Sequence, residues 1–94
     1  MKKKAMYIAG PISIDPDYKR KFDAVEDFMA RQGYVILNPA SAPEGLTYRQ
    51  YIHYGLALLG KADCVCFLPN SDKSLGAQFE KHYAELIGLP IIEI

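Results

Sequence analysis

Apolar residues in this chain follow two rhythms. Ala5 to Ala9 is a short apolar run, and Ala62 to Leu68 is a longer one, almost unbroken. Short runs bounded by turn residues read as strands, and a continuous one suits a strand covered on both faces. Between them, Phe22, Val25, Phe28 and Met29 recur at helical spacing, with Lys, Arg, Asp and Glu interleaved. Asp15-Pro16-Asp17 supplies a turn and a helix start, because an Asp side chain can accept from orphan N–H groups. Gly33 ends that helix. Tyr34 to Leu37 is a second strand, closed by Asn38-Pro39. Ser41 to Gly45 is loop. Thr47 caps a second helix with Ile52, Leu56 and Leu59 as its stripe, and Gly60 ends it. A third helix runs from about Ser74 to Ile87 and stops at Gly88. Pro90 to Ile94 is a last short strand.

The resulting order, β-α-β-α-β-α-β, predicts a parallel sheet with right-handed crossovers. Residues 1–94 form one domain, with no internal repeat, linker or low-complexity segment. The chain is 50% apolar, enough for a core, yet a domain this small buries a modest share of its surface. Four strands and three helices leave part of the sheet thinly covered, which predicts homo-oligomerisation.

Formal net charge is zero, so no basic field holds a nucleic-acid backbone and nucleic-acid binding is not expected. Cys64 and Cys66 lie two apart in a strand and share a face. They read as buried packing residues. A metal or redox pair would want further ligands nearby, so neither metal nor other cofactor is expected. Lys2-Lys3-Lys4 precedes an apolar segment too short for a leader or a membrane span, and the expectation is a cytoplasmic protein with no membrane partner.

Ligands of parallel α/β sheets sit beyond the carboxyl ends of the strands. That rule selects Gly10, Pro11 and Ile12 after strand one, Asn38 after strand two, and Asn70 after strand three. Ser74 and Gly76 open the third helix. In Ser74-Leu75-Gly76-Ala77-Gln78-Phe79-Glu80, a hydroxyl, a glycine and a carboxylate gather at a helix N-terminus, where anions are favoured and a glycine admits close approach. Glu80 is the leading candidate for chemistry; the plainer alternative is a surface glutamate favourable to the helix dipole. Ser74 reads as a cap, a ligand donor, or both. Tyr7 is either a core tyrosine or a phenol that orients a carboxylate. Asp63, on the opposite rim, trims a turn. His53 and His82 read as helix surface.

These segments together resemble the nucleoside 2-deoxyribosyltransferase superfamily. The resemblance rests on Tyr7-Ile8-Ala9-Gly10-Pro11-Ile12, Gly33-Tyr34-Val35, Asn38-Pro39, Ala62-Asp63, Ser74-Leu75-Gly76 through Glu80, Ala84 and Gly88-Leu89-Pro90. It covers nearly the whole chain and is nearest to a short bacterial and phage branch, with the deoxynucleoside monophosphate N-glycosidases as relatives. It implies a flavodoxin-like three-layer α/β sandwich with a four-stranded parallel sheet. It also implies a nucleoside or nucleoside monophosphate as ligand, Glu80 as the nucleophile on the anomeric carbon, Tyr7 as its orienter, and Ser74 as a contact to a 5′-phosphate. Water as acceptor gives hydrolysis; a second base gives transfer. One departure stands out. Related proteins carry an aspartate eight residues before the Ala-Asp aspartate, where it helps protonate the departing base; here that position is Gly55. Either another group (His53, Asp72 or a neighbouring subunit's residue) serves, or base departure is slow, or the protein is a nucleotide-binding module without turnover.

Overall fold

The structure is a computed structural model and describes residues 2–94. Strands β1 (Ala5–Ala9), β2 (Val35–Leu37), β3 (Cys64–Phe67) and β4 (Ile91–Glu93) alternate with helices α1 (Tyr18–Arg31), α2 (Tyr48–Leu59) and α3 (Leu75–Ile87). The strands form one sheet in the order β2-β1-β3-β4, and every pairing is parallel. This is the expected flavodoxin-like α/β fold.

The pleat sends alternate side chains to opposite faces and so assigns the layers. Met6, Ile8, Cys64 and Cys66 point toward α1, where Phe22, Val25 and Met29 meet them. Tyr7, Ala9, Val65 and Phe67 point the other way, against Leu59 of α2 and Ala84 of α3. Both cysteines are free and buried, and burial pushes their thiols up, away from the reactive thiolate form. Phe28 departs from the expected stripe and is 59% exposed. Six residues past Phe22 it has rotated about a third of a turn off the buried line that Met29 continues.

Element ends follow local chemistry. Thr47 and Gln50 form a reciprocal capping box at α2. Gly88 takes the left-handed conformation (φ 76°) that ends α3, and the Leu89 N–H donates back to the Ala84 carbonyl at 2.9 Å. Tyr34 closes α1 instead of opening β2, since its N–H donates to the Met29 carbonyl. Single 3-10 turns, Pro39–Ser41 and Ser71–Lys73, follow β2 and β3. Asp63 ties the lower rim: its carboxylate accepts from the Ala5 N–H, and its own N–H donates to the Ala5 carbonyl, both at 2.8 Å.

The connections from β1 and β3 leave in opposite directions, β1 toward β2 on one side and β3 toward β4 on the other. Their diverging ends leave a crevice at this switch point. Among the described residues, no helix is long and apolar enough to cross a membrane.

Candidate active site

A cavity of about 390 Å³ opens in that crevice. The end of β1 supplies Tyr7, Ala9 and Gly10, the loop after it Ile12 and Ser13, and the start of α3 Ser74, Gly76, Ala77 and Glu80. One face of α2 closes it with Tyr48, Tyr51, Ile52 and Gly55, spaced i, i+3, i+4 and i+7. Tyr18, at the first position of α1, completes the aromatic wall.

At its floor the Tyr7 hydroxyl donates to Glu80 Oε2 at 2.5 Å. Seventy-three positions separate these residues in sequence. Tyr7 is 1% exposed, so its ring is anchored in the core and only its hydroxyl reaches the cavity. Burial pushes the Glu80 carboxyl up from 4.5 to about 7, with the Tyr7 hydrogen bond working the other way. Burial, then the charge of Glu80 and the shared hydrogen bond, push the Tyr7 phenol well above its ordinary range. The phenol therefore keeps its proton and acts as a donor, while the carboxyl changes charge near neutrality.

Glu80 is the sole carboxyl lining this cavity, and no Lys, Arg or His lines it among the described residues. Ser74 is buried, and its Oγ accepts from the Ala77 N–H at 3.3 Å while also facing the cavity. The N–H groups of Leu75 and Gly76 head the helix without helical partners, so a ligand there meets donors. A Cβ on Gly76 would approach Ile52 Cδ1 at 3.3 Å, so this glycine also lets α3 start close against α2. A Cβ on Gly10 would meet the Leu68 Cβ at 2.9 Å; close packing beneath the loop requires a glycine there.

The remaining sequence candidates lie elsewhere. Asn38 is buried at the joint between α1 and the turn after β2. Its amide donates to Asp23 and Glu26, and its carbonyl oxygen accepts from the Ala40 N–H at 2.9 Å. Pro11 and Asn70 line a separate depression on the α1 side, beside Arg20, Lys21 and Lys73. Asn70 holds a left-handed backbone (φ 68°) at the start of the Ser71–Lys73 turn, a conformation Asn tolerates. Asp72 and His82 belong to a third depression between β4 and α3, and His53 is exposed on α2. None of the three lines the cavity that holds Glu80. Gly55 does: a Cβ there would stand 2.7 Å from Tyr7 Oη and 2.9 Å from Glu80 Oε2.

Sequence reasoning did not reach Tyr18, Tyr48 or Tyr51. The signal was present in α2, whose cavity face has a helical period of its own. Among the described residues, no three His, Cys, Asp or Glu side chains gather as metal ligands.

Comparison with known proteins agrees with this architecture. A 2-deoxyribosyltransferase from Leishmania mexicana superposes with a TM-score of 0.75 at 21% identity, over 97% of this chain and 63% of that one. This chain thus spans less than two thirds of that protein's length. A 2-deoxyribosyltransferase from the psychrotolerant bacterium Bacillus psychrosaccharolyticus superposes with a TM-score of 0.73 at 16% identity, over 95% of this chain and 70% of that one. No curated protein matches by sequence. Residues 4–93 match the family described as a domain of unknown function (DUF4406). The chain belongs to the DUF4406 family, and its fold is that of the 2-deoxyribosyltransferases.

Proposed function

We propose that this protein cleaves or transfers the N-glycosidic bond of a nucleoside or its monophosphate, with Glu80 as nucleophile. The observation that carries the reading is the Tyr7–Glu80 hydrogen bond at the floor of the switch-point cavity. A lone carboxylate aimed into a pocket, oriented by a buried donor, is built to attack a carbon. The fold shared with two 2-deoxyribosyltransferases supports the sugar as target.

In this reading Glu80 attacks the anomeric carbon, the C–N bond breaks, and its electron pair leaves with the base. The base takes up a proton, and a glycosyl ester remains on Glu80. Water then releases the free sugar, or a second base recaptures it with net retention. Tyr7 holds one oxygen of Glu80, so the other faces the sugar. The tyrosines at positions 18, 48 and 51 offer aromatic surface to a heterocycle, and Ser74, with the first N–H groups of α3, offers donors to the sugar hydroxyls or a 5′-phosphate. The same reading takes the ligand to be a small molecule and the working form to be a homo-oligomer. Exposed Leu75, Phe79 and Leu86 along α3 support association.

The test is incubation with a 2-deoxy-2-fluoro nucleoside, followed by mass spectrometry of the intact chain and its peptides. The expected result is a fluoroglycosyl adduct on Glu80. No adduct there, together with no base release from any deoxynucleoside, would overturn the reading.

A second reading, a nucleotide-binding module without turnover, is favoured by one observation: among the described residues, the cavity lining holds no carboxyl besides Glu80 and no imidazole to protonate a departing base. General acid catalysis is typically worth about 10²- to 10⁴-fold. That reading expects calorimetric binding of nucleosides or their monophosphates with no product formed.

A further inference from the structure

Gly55 lies in the interior of α2 and is buried. Glycine is unfavourable inside a helix compared with alanine, and the backbone does not ask for it here. The glycines with positive φ are Gly33, Gly45 and Gly88, and Gly55 is not among them. Space asks for it. A Cβ at this position would stand 2.7 Å from Tyr7 Oη and 2.9 Å from Glu80 Oε2, both closer than a side-chain carbon is accommodated.

Neither neighbour can step aside freely. The Tyr7 ring is locked among Ala9, Leu59, Val65, Phe67 and Ala84. Glu80 is tethered to that ring by its hydrogen bond. An added methyl group would have to separate hydroxyl and carboxylate, or lift α2 off both.

We propose that Gly55 is a positioning residue: its missing side chain lets the α2 backbone close one flank of the Tyr7–Glu80 pair and keep the carboxylate in its hydrogen-bonded orientation toward the cavity. This rests on the reading of Glu80 as the reacting carboxylate. It adds that in this chain α2 stands too close to the Tyr7–Glu80 pair for a side chain such as the aspartate of related proteins, so here the vacancy at position 55 is a requirement of the site.

The test is Gly55→Ala, alone and combined with Tyr7→Phe, read by turnover and by the titration of Glu80 in carbon-13 spectra of the carboxyl. Tyr7 is hydrogen-bonded to Glu80, and the other titratable side chains lining the same cavity are Tyr18, Tyr48 and Tyr51. Gly55→Ala is expected to lower kcat about tenfold or more with KM little changed, because misplacement by ~1 Å costs on the order of 10²-fold. It is also expected to raise the Glu80 midpoint, because the Tyr7 hydrogen bond is what holds that carboxyl down. Tyr7→Phe alone should raise it similarly, and the double variant should add little to either effect. Should Gly55→Ala fail to fold, Tyr7→Phe/Gly55→Ala, which removes the atom nearest the new methyl group, is expected to recover folding.

An unchanged or lowered Glu80 midpoint in folded Gly55→Ala would overturn the inference. So would fully additive effects in the double variant, or failure of the double variant to rescue an unfolded single one. The titration needs no turnover. A wild-type protein without glycosidic activity would sink the proposed function and leave the role of Gly55 readable.

Discussion

At the scale of single residues, Glu80 governs how this protein answers to pH. Its carboxyl sits at about 7 in the folded chain, against 4.5 for an ordinary glutamate. In the proposed reaction the attacking form is the anion, so kcat/KM is expected to rise with pH and level off above an apparent pKa of about 7. A profile flat from pH 5 to 8 would contradict this. The same group has a stability consequence of opposite sense. Between 4.5 and about 7 the folded chain keeps a proton that the unfolded chain has lost, so stability falls as pH rises through that window. The contribution is fully present below 4.5 and lost above about 7, and amounts to at most about 3–4 kcal/mol. Glu80→Gln should therefore abolish turnover and yet resist urea better than the native chain at pH 8. At pH 4 the two should unfold at similar concentrations.

At the scale of elements, the joints matter more than the elements. Asn38 was selected from sequence as a ligand contact because it follows a strand at the ligand-binding edge. Two of its three side-chain hydrogen bonds instead tie the turn after β2 to Asp23 and Glu26 of α1, and the third, from the Ala40 N–H, closes that turn. Asn38→Ala is expected to cost about 1–3 kcal/mol, the penalty for buried polar groups left without partners. Chemical denaturation measures that loss. The Glu80 titration should not move, because Asn38 does not line the cavity. A changed titration with unchanged stability would return Asn38 to the site. Element identity itself was largely legible. β1 spans Ala5–Ala9 as its apolar run implied, and α3 begins just after the cap at Ser74. The ends of β2, β3 and β4 shrank, because Tyr34 closes α1, and Ala62 still donates to the Leu59 carbonyl of the turn after α2.

At the scale of the whole molecule, three helices cover a small four-stranded sheet and leave apolar surface outside. Leu75 is 78% exposed and Leu86 72%, and with Phe79 they form a line along α3 beside the cavity. Oligomerisation is the economical way for a chain of this size to cover such a line. Sedimentation velocity at micromolar concentration is expected to show a species larger than the monomer. Leu86→Glu should shift it toward the monomer while the far-ultraviolet circular dichroism stays the same. A wild-type protein sedimenting only as monomer would remove this expectation.

Sequence by itself determined what is local: which segments are strands and helices, where Thr47, Ser74 and Gly88 start or stop them, and that a carboxylate follows a glycine at a helix start. Period and capping act over a few residues, so a few residues suffice to read them. Tertiary structure alone decided which distant side chains meet. The Tyr7 hydroxyl reaches Glu80 because β1 lies beside β3 and the pleat turns Tyr7 toward α2 and α3. The vacancy at Gly55 gains meaning only once α2 crosses behind that pair. Strand order and pleat phase are properties of the assembled sheet, and they sorted Gly10, Ser74 and Gly76 into the cavity and left Pro11, Asn38 and Asn70 outside it.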